Sequence, residues 1–189
     1  MVESIEMICQ RSELKTVLHT ERAAYTSDSL LVHVKSMLLQ DHNYLLWKYV
    51  KYLRYTEYHY NAGHRLRYYI WQWKKNRLGA RLGITMWHNT ADTGLRIWHY
   101  GSVIINGNAK VGKNCQLHGE NCIGNKGDFD QAAPVIGDNV DIGVGAKIIG
   151  GISIADDVKI GANAVVTKSC LEKGAVLVGA PAHVIARGK

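Results

Sequence analysis

The sequence lacks a run of 18 consecutive apolar residues and therefore predicts no transmembrane helix. Its first residues carry acidic side chains and no apolar core, which argues against a signal peptide. The cysteines, Cys9, Cys115, Cys122 and Cys170, form no CxxC pair and no metal-ligand spacing. We interpret them as small buried thiols of a cytoplasmic protein. With 47% hydrophobic residues over 189 positions, the chain is long enough for one or two domains.

Positive charge is concentrated in residues 44–82, where nine Lys and Arg residues accompany one acid, Glu57. From residue 29 to 82 the pattern predicts helices, with a break at residues 61–63. The aromatic residues of this segment include Trp47, Trp71 and Trp73. Two interpretations stay open: the aromatics pack between helices, or the segment contacts a membrane surface peripherally, at the inner face. No nucleic-acid motif accompanies the charge, so we expect no nucleic-acid partner.

The stretch VIGDNVDIGVGAKIIGGISIADDVKIGANAVV has an aliphatic residue at every sixth position. These residues are Ile136, Ile142, Ile148, Ile154, Ile160 and Val166. A period of six fits neither an α-helix nor simple alternation, but it is typical of the hexapeptide repeats of a parallel β-helix. Three such repeats make one coil of roughly 18 residues, with the aliphatic side chains pointing inward. Asn and Asp fill several of the predicted turns, because both tolerate left-handed backbone.

The same register extends backward to Ile105 with a gap of 13 residues between Ile123 and Ile136, and forward to Val178 past Glu172. The gap predicts that residues 124–135 leave the coil as a projecting loop. We therefore predict a mainly β protein, with a helical N-terminal domain, residues 1–82, before a β-helix domain, residues 83–189.

The segment GLRIWHYGSVIINGNAKVG, the repeats and the closing VGAPAHVIARG resemble the hexapeptide-repeat acyltransferases. Among these, the resemblance is closest to serine acetyltransferases and to capsule and sugar O-acetyltransferases, and it covers residues 84–189. It implies a left-handed parallel β-helix, a homotrimer, and acetyl-CoA bound between neighbouring subunits. Related carbonic anhydrases bind zinc through three histidines on this scaffold. Only His99 and His118 lie in the corresponding region, so we expect no metal.

The resemblance implies that His99 is the general base that deprotonates the acceptor hydroxyl. An imidazole suits this role, since it ordinarily titrates near neutrality. Counting back six residues from Ile105 places His99 in an inward slot, unless the register slips, as the pair Ile97 and Val103 suggests. Asp92 and Asn89 are candidates for orienting the imidazole, with turn residues as the alternative.

Two departures from serine acetyltransferases bear on the acceptor. Trp98 stands where that group has aspartate, and residues 132–134 read Ala-Ala-Pro in place of Arg-His-Pro. The aspartate that orients the family's histidine aligns with Ile84. Because the charges that hold serine are missing at these positions, we predict a saccharide acceptor, as in polysaccharide biosynthesis, with Trp98 and His118 lining its pocket. A serine acceptor and a catalytically inactive scaffold are the alternatives.

The donor site is also predicted by resemblance. The pantetheine arm of the family's donor lies against the second residue after a repeat aliphatic, which here is Val144 and Ala162. Lys168 follows as a candidate for a CoA phosphate. Asn125 and Lys126, in the projecting loop, are predicted to flank the donor.

Overall fold

The computed structural model describes residues 5–27, 29–127 and 130–186. The chain divides into two compact units. One unit, Met7–Leu82, is helical, and the other, Met1–Glu6 with Gly83–Lys189, is built from short strands. That residues 1–82 and 83–189 act as separate functional domains stays a prediction.

The helical unit contains α1 (Arg11–Tyr25), α2 (Leu30–Leu39), α3 (His42–Asn61) and α4 (Arg65–Leu82). Asp41 is the N-cap of α3, and its side chain accepts a hydrogen bond of 2.8 Å from the backbone N–H of Tyr44. The break predicted at residues 61–63 is confirmed: α3 ends at Asn61, and Gly63 has a φ of 72°. Among the described residues, no helix combines the length and apolarity needed to cross a membrane.

Aromatic side chains pack α3 against α4. Tyr55 stacks on Trp71 with ring centroids 4.3 Å apart, and Tyr52 contacts the same indole at 5.5 Å. These contacts agree with the interpretation that the aromatics pack between helices. The outer side of α4 leaves Leu66 and Trp73 exposed. Peripheral membrane contact stays a prediction.

The core of the helical unit contains charged side chains. Arg54 is 1% exposed and donates hydrogen bonds of 2.7–3.1 Å to the carboxylates of Glu21 and Glu57. Burial works to lower the pKa of Arg54, but the two carboxylates outweigh it and hold that pKa above its ordinary value. Burial also lowers the pKa of Lys75 to about 8, against the opposing attraction of Glu57.

Short parallel strands form the second unit. Their bounds are β1 Ile84–Thr85, β2 Arg96–Ile97, β3 Val103–Ile105, β4 Lys110–Val111, β5 Gln116–Leu117, β6 Cys122–Gly124, β7 Val135–Ile136, β8 Asp141–Ile142, β9 Lys147–Ile149, β10 Ser153–Ile154, β11 Lys159–Ile160, β12 Val165–Val166, β13 Val176–Val178 and β14 His183–Ala186. They make three sheets: sheet A (β1-β3-β6-β9-β12), sheet B (β10-β7-β4) and sheet C (β14-β13-β11-β8-β5-β2). Only the pair β13–β14 is antiparallel among the described strands. From β2 to β12 the strands follow the repeating sheet order C, A, B, so the chain winds around a three-sided coil.

The interior of the coil is aliphatic, and the inward register predicted from Ile105 to Val166 is confirmed. Ile142, for example, is fully buried and lies in register between Leu117 and Ile160. The predicted return at Val178 is wrong by one residue: Leu177 pairs with Ile160 and is buried. The reason is the last coil's uneven spacing: the chain passes from Val166 to Cys170 in four residues and from Cys170 to Leu177 in seven, and the two steps together are one residue short of two repeats.

The turns carry Asn and Asp in left-handed conformations, as the sequence predicts. Asn139 and Asp157 have φ values of 56° and 59°. Their side chains also join neighbouring coils, because Asn114 donates to Asn139 at 3.1 Å and Asn139 donates to Asp157 at 3.0 Å. These amide and carboxylate groups therefore serve both the turn and the stacking.

The predicted projecting loop, residues 124–135, is one residue too long at each end: Gly124 belongs to β6 and Val135 to β7, and residues 125–134 connect the two strands. Residues 125–127 and 130–134 of it are described, while Asp128 and Phe129 lie outside the described residues. Asn108 Nδ2 donates a hydrogen bond of 3.1 Å to the carbonyl oxygen of Gln131, which ties the loop to the turn after β3.

Candidate active site

His99 lies in the turn between β2 and β3, and its side chain is exposed. The buried residues on either side of this turn are Ile97 and Val103, six positions apart, and Ile105, two positions later, is buried as well. Val103 and Ile105 both face inward from β3, so the repeat register shifts by two residues within this strand, and His99 falls in the turn and not in an inward slot. The register therefore slips, as the spacing of Ile97 and Val103 suggests, and the imidazole is not enclosed by aliphatic side chains.

Gly119 lies on the next coil against His99. Its φ of 108° is a conformation that favours glycine, and a Cβ added there would lie 3.3 Å from His99 Cβ. A side chain at this position would both strain the backbone and press on the histidine. Glycine thus leaves the surface beside the imidazole open.

Trp98 and His118, the predicted acceptor residues, are brought together on the outer face of sheet C. Their rings stack with centroids 5.6 Å apart and an interplanar angle of 16°. Trp98 Nε1 donates a hydrogen bond of 2.9 Å to Gln116 Oε1, which fixes the orientation of the indole. The two nearly parallel rings therefore form one flat surface on the outside of sheet C.

Two side chains of opposite charge complete this group. The guanidinium carbon of Arg96 lies 4.5 Å from the centroid of the Trp98 ring, and His118 Nε2 lies 2.7 Å from Asp141 Oδ1. We call Arg96, Trp98, Gln116, His118 and Asp141 the Trp98 cluster. It holds a permanent cation near one end and a carboxylate near the other, both partly open to solvent.

The sequence analysis missed Arg96, Gln116 and Asp141. Each immediately precedes an inward residue of sheet C, and the pairing registers place the three in one row. A signal was present, since the residue before each inward aliphatic must face outward. The spacings of 20 and 25 residues between these positions hid it, because they depart from an 18-residue coil.

Asp92 and Asn89, the predicted partners of His99, occupy turns. Asp92 is 4% exposed and accepts hydrogen bonds from the backbone N–H groups of Thr93, at 2.6 Å, and Glu6, at 3.2 Å. Asn89 has a φ of 56° and is half-buried. These features agree with the turn alternative, and a role in orienting His99 stays a prediction.

The predicted donor residues Val144 and Ala162 are exposed and lie on successive coils. The carbonyl oxygen of Val144 accepts a 2.8 Å hydrogen bond from the N–H of Asn163. Both residues stand two positions after an inward residue of sheet C, as His99 and Gly119 do. His99, Gly119, Val144 and Ala162 therefore follow one edge of the coil, which we call the His99 edge.

The remaining donor candidates lie elsewhere on the coil. Lys168 is exposed after β12. Asn125 donates to the carbonyl oxygen of Asp130, and the aliphatic stem of Lys126 lies against Gly150, where an added Cβ would be 2.8 Å from Lys126 Cε. The described contacts of Asn125 and Lys126 hold the base of the loop, and their contact with a donor stays a prediction. Among the described residues, no group of three His, Cys, Asp or Glu is arranged to hold a metal ion.

Comparison with known proteins gives one consistent class. A serine acetyltransferase of Mycobacterium tuberculosis is 37% identical over 139 residues, which are 67% of this chain and 59% of that protein. One of Helicobacter pylori is 38% identical over 97 residues, 51% of this chain and 56% of that protein. The chain thus spans less than two thirds of the length of these curated relatives. No family model matches the chain.

Solved structures agree in fold. The serine acetyltransferase of Brucella abortus gives a TM-score of 0.73 at 21% identity, over 95% of this chain and 71% of that one. The same enzyme in complex with coenzyme A gives 0.72 at 22% identity, over 95% and 70%. The soybean apoenzyme gives 0.72 at 23% identity, over 91% and 69%. The chain belongs to the hexapeptide-repeat acyltransferases. Within that family it is serine acetyltransferase-like.

The prediction of a saccharide acceptor, and with it a role in polysaccharide biosynthesis, is wrong. The relatives that match the sequence are serine acetyltransferases by name, which favours the alternative. The error has a physical reason: the prediction looked for charges only at the family's own positions, Trp98 and residues 132–134. It did not consider that the coil brings Arg96 against Trp98, and Asp141 against His118, which stacks on Trp98.

Proposed function

We propose that this chain is an acetyl-CoA-dependent O-acetyltransferase whose acceptor is the hydroxyl of serine. The observation that carries the proposal is the 37% identity over 139 residues to a serine acetyltransferase. Its support in the chain itself is an exposed imidazole, His99, which directly follows Trp98 of a cluster with one cation and one carboxylate.

In this reaction His99 acts as general base. The imidazole takes the hydroxyl proton while the oxygen attacks the carbonyl carbon of the acetyl thioester. The carbon–sulfur bond then breaks, and the departing CoA thiolate takes the proton back from the imidazolium. The products are the acetyl ester of serine and free CoA, so charge and protons balance.

The Trp98 cluster is proposed to bind the acceptor. Free serine carries an ammonium and a carboxylate, so its recognition calls for one negative and one positive side chain. Asp141 and Arg96 have these charges and flank the stacked rings of Trp98 and His118. They would replace the charged residues that serine acetyltransferases carry at the positions of Trp98 and residues 132–133.

The donor is proposed to lie along the His99 edge, with its pantetheine arm against Val144 and Ala162 and a phosphate near Lys168. Asn125 and Lys126 would flank it from the loop. We further propose that the coil is a left-handed β-helix and that the active unit is a cytoplasmic homotrimer with acetyl-CoA between subunits. The likeness to serine acetyltransferases, one of them solved with coenzyme A, supports these assignments.

Replacement of His99 tests the general base. We expect His99→Ala to lower kcat by about 10²- to 10⁴-fold and to leave CoA affinity unchanged, since the imidazole transfers protons in the reaction and is not proposed to bind the donor. His183→Ala is the matched control, because His183 is an exposed histidine on β14. A near-normal rate in His99→Ala, measured by release of CoA thiol from acetyl-CoA and serine, would refute the assignment.

Replacement of Asp141 tests the acceptor. We expect Asp141→Asn to raise the KM for serine by about 10-fold or more, the value of one lost charge-assisted hydrogen bond, with a smaller change in kcat. Asp157→Asn is the control, since Asp157 is a coil carboxylate outside the Trp98 cluster, paired with Lys173. An equal KM in wild type and Asp141→Asn would remove Asp141 from acceptor binding.

A further inference from the structure

A cleft in the helical unit has no role in the proposed reaction. It lies among α1, α2 and α3 and has a volume of about 500 Å³. This volume is within the range of small-molecule sites, roughly 300–1,000 Å³. The cleft is therefore large enough for an organic ligand of nucleotide size.

The formally charged side chains that line this cleft are all positive. Arg22, Lys48 and Lys51 line it and are half-buried, as is His33, while His19 also lines it and is exposed. Among the described residues, no aspartate or glutamate lines the cleft, and none of these three cations forms an ion pair. Cations gathered in a partly enclosed cleft focus a positive potential that attracts anions.

The nearby carboxylates do not neutralise the cations of the cleft. Glu21 and Glu57 of the same unit are both bound by Arg54, at 2.7 and 2.8 Å, and are buried with it. Arg22 has a long contact of 3.4 Å with Thr26 Oγ1, and Lys48 lies 5.6 Å from the centroid of the Tyr44 ring. Neither partner neutralises a cation, so the cleft retains its charge.

A second observation also indicates a ligand. The Nδ1 atom of His33 is buried in the wall of the cleft and makes no hydrogen bond with the described residues. Buried polar atoms in native proteins nearly always have a partner. Water does not reach Nδ1 in this conformation, and rotation of the imidazole toward the cleft would allow a polar group of a bound molecule to provide the partner.

Aromatic rings form the rest of the wall. Tyr44, Trp47, Tyr52 and Tyr55 line the cleft. Trp47 contacts Tyr25 at 6.1 Å, and Tyr55 stacks on Trp71 at 4.3 Å, so these rings are held by neighbours outside the cleft. A rigid aromatic wall is suited to stacking against a flat ring.

We infer that this cleft binds a nucleoside monophosphate, a small ligand that joins a phosphate dianion to a planar base. Arg22, Lys48 and Lys51 contact the phosphate, His33 Nδ1 hydrogen-bonds a polar group of the ligand, and the tyrosines face the base. The site is distinct from the His99 edge and does not depend on the acetyltransferase proposal.

Calorimetric titration of the full chain tests the inference, with uridine 5′-monophosphate, uridine and inorganic phosphate as three separate probes. We expect the monophosphate to bind at least 10-fold more tightly than either fragment, because only it uses both the cations and the rings. Uridine avoids the adenine of CoA, which keeps the donor site from contributing. Absence of monophosphate binding at millimolar concentration would overturn the inference. If inorganic phosphate bound as tightly as the monophosphate, the proposed contact between the rings and the base would be refuted.

Lys48→Gln combined with Lys51→Gln should weaken monophosphate binding by about 10-fold or more, since each charged hydrogen bond contributes on this scale. Lys15→Gln is the matched control, because Lys15 is an exposed lysine of α1 that does not line the cleft. Undiminished binding in the double variant would refute the site. If that variant does not fold, raising the salt concentration on the wild type must weaken binding, and salt-independent affinity would refute the site equally.

Discussion

The helical unit and the coil bury their interiors in different ways. The coil is filled by one aliphatic residue per repeat and a second small or aliphatic residue two positions before it, as at Ile142 and Val140, and its buried polar residues lie at or next to turns. The helical unit instead encloses Arg54, Glu21, Glu57 and Lys75 among its aromatics and leucines. A repeated apolar layer needs only size and period, whereas a buried ion cluster needs each partner. The two units should therefore respond differently to single substitutions.

The largest effect is expected in the ion cluster. Arg54→Ala leaves the carboxylates of Glu21 and Glu57 buried without their cation, and should lower the free energy of unfolding of the helical unit by about 3–5 kcal/mol. Urea unfolding followed by far-UV circular dichroism measures it. Arg81→Ala, at an exposed arginine, should change the same quantity by no more than about 0.5 kcal/mol. Similar losses in both variants would remove the distinction between the units.

The coil should show a cavity effect of similar or smaller size. Ile142→Ala removes a buried side chain between Leu117 and Ile160 and should cost about 2–5 kcal/mol, because stacked coils on both sides limit collapse. Ile185→Ala is the control, since Ile185 is 59% exposed. Thermal and urea unfolding of both variants compare them. A loss at Ile142 no larger than at Ile185 would contradict a close-packed interior.

The third prediction concerns the pH dependence of the helical unit's stability, which Lys75 should dominate between about pH 8 and 10.5. The pKa of Lys75 is lowered to about 8 in the folded state from its ordinary value of 10.5. Between these pH values the unfolded chain binds a proton that the folded chain does not, so stability should rise with pH by up to about 3 kcal/mol. Below pH 8 both states are protonated and the slope disappears.

The measurement compares wild type with Lys75→Met across that pH range. Subtraction of the variant's profile isolates Lys75 from other groups, such as Cys115, whose pKa burial raises to about 12. A pH profile that Lys75→Met leaves unchanged would mean that Lys75 does not titrate in this range.

The smallest effect on stability is expected at the His99 edge, where a substitution should also lower the catalytic rate. Gly119→Ala forces a side chain onto a φ of 108° and should cost about 1–3 kcal/mol. Its Cβ would also meet His99, so kcat should fall while CoA affinity is kept. Gly127→Ala, at a φ of 87° with open space around it, carries the backbone strain alone. Equal kcat values in the two variants would remove the steric link to His99.

Much of the architecture was predictable because its cause is local. The six-residue spacing from Ile136 to Val166 specifies inward positions without reference to distant residues, and the break at residues 61–63 is marked by its own glycine. Both predictions are confirmed. The prediction at Val178 is wrong, since the uneven spacing around Cys170 shifts the register.

The site was less predictable because turn lengths decide which residues align. The sequence by itself determined the repeated layers, the helical character of residues 29–82 with its break at 61–63, and the presence of a histidine just before the regular coils, but not α1 or the break between α2 and α3. Only the stacking of coils placed Arg96, Gln116 and Asp141 in one row beside Trp98, and His99 on one edge with Val144 and Ala162. The reason is that hydrogen bonds between coils join residues about 20 positions apart, and each irregular turn resets that alignment.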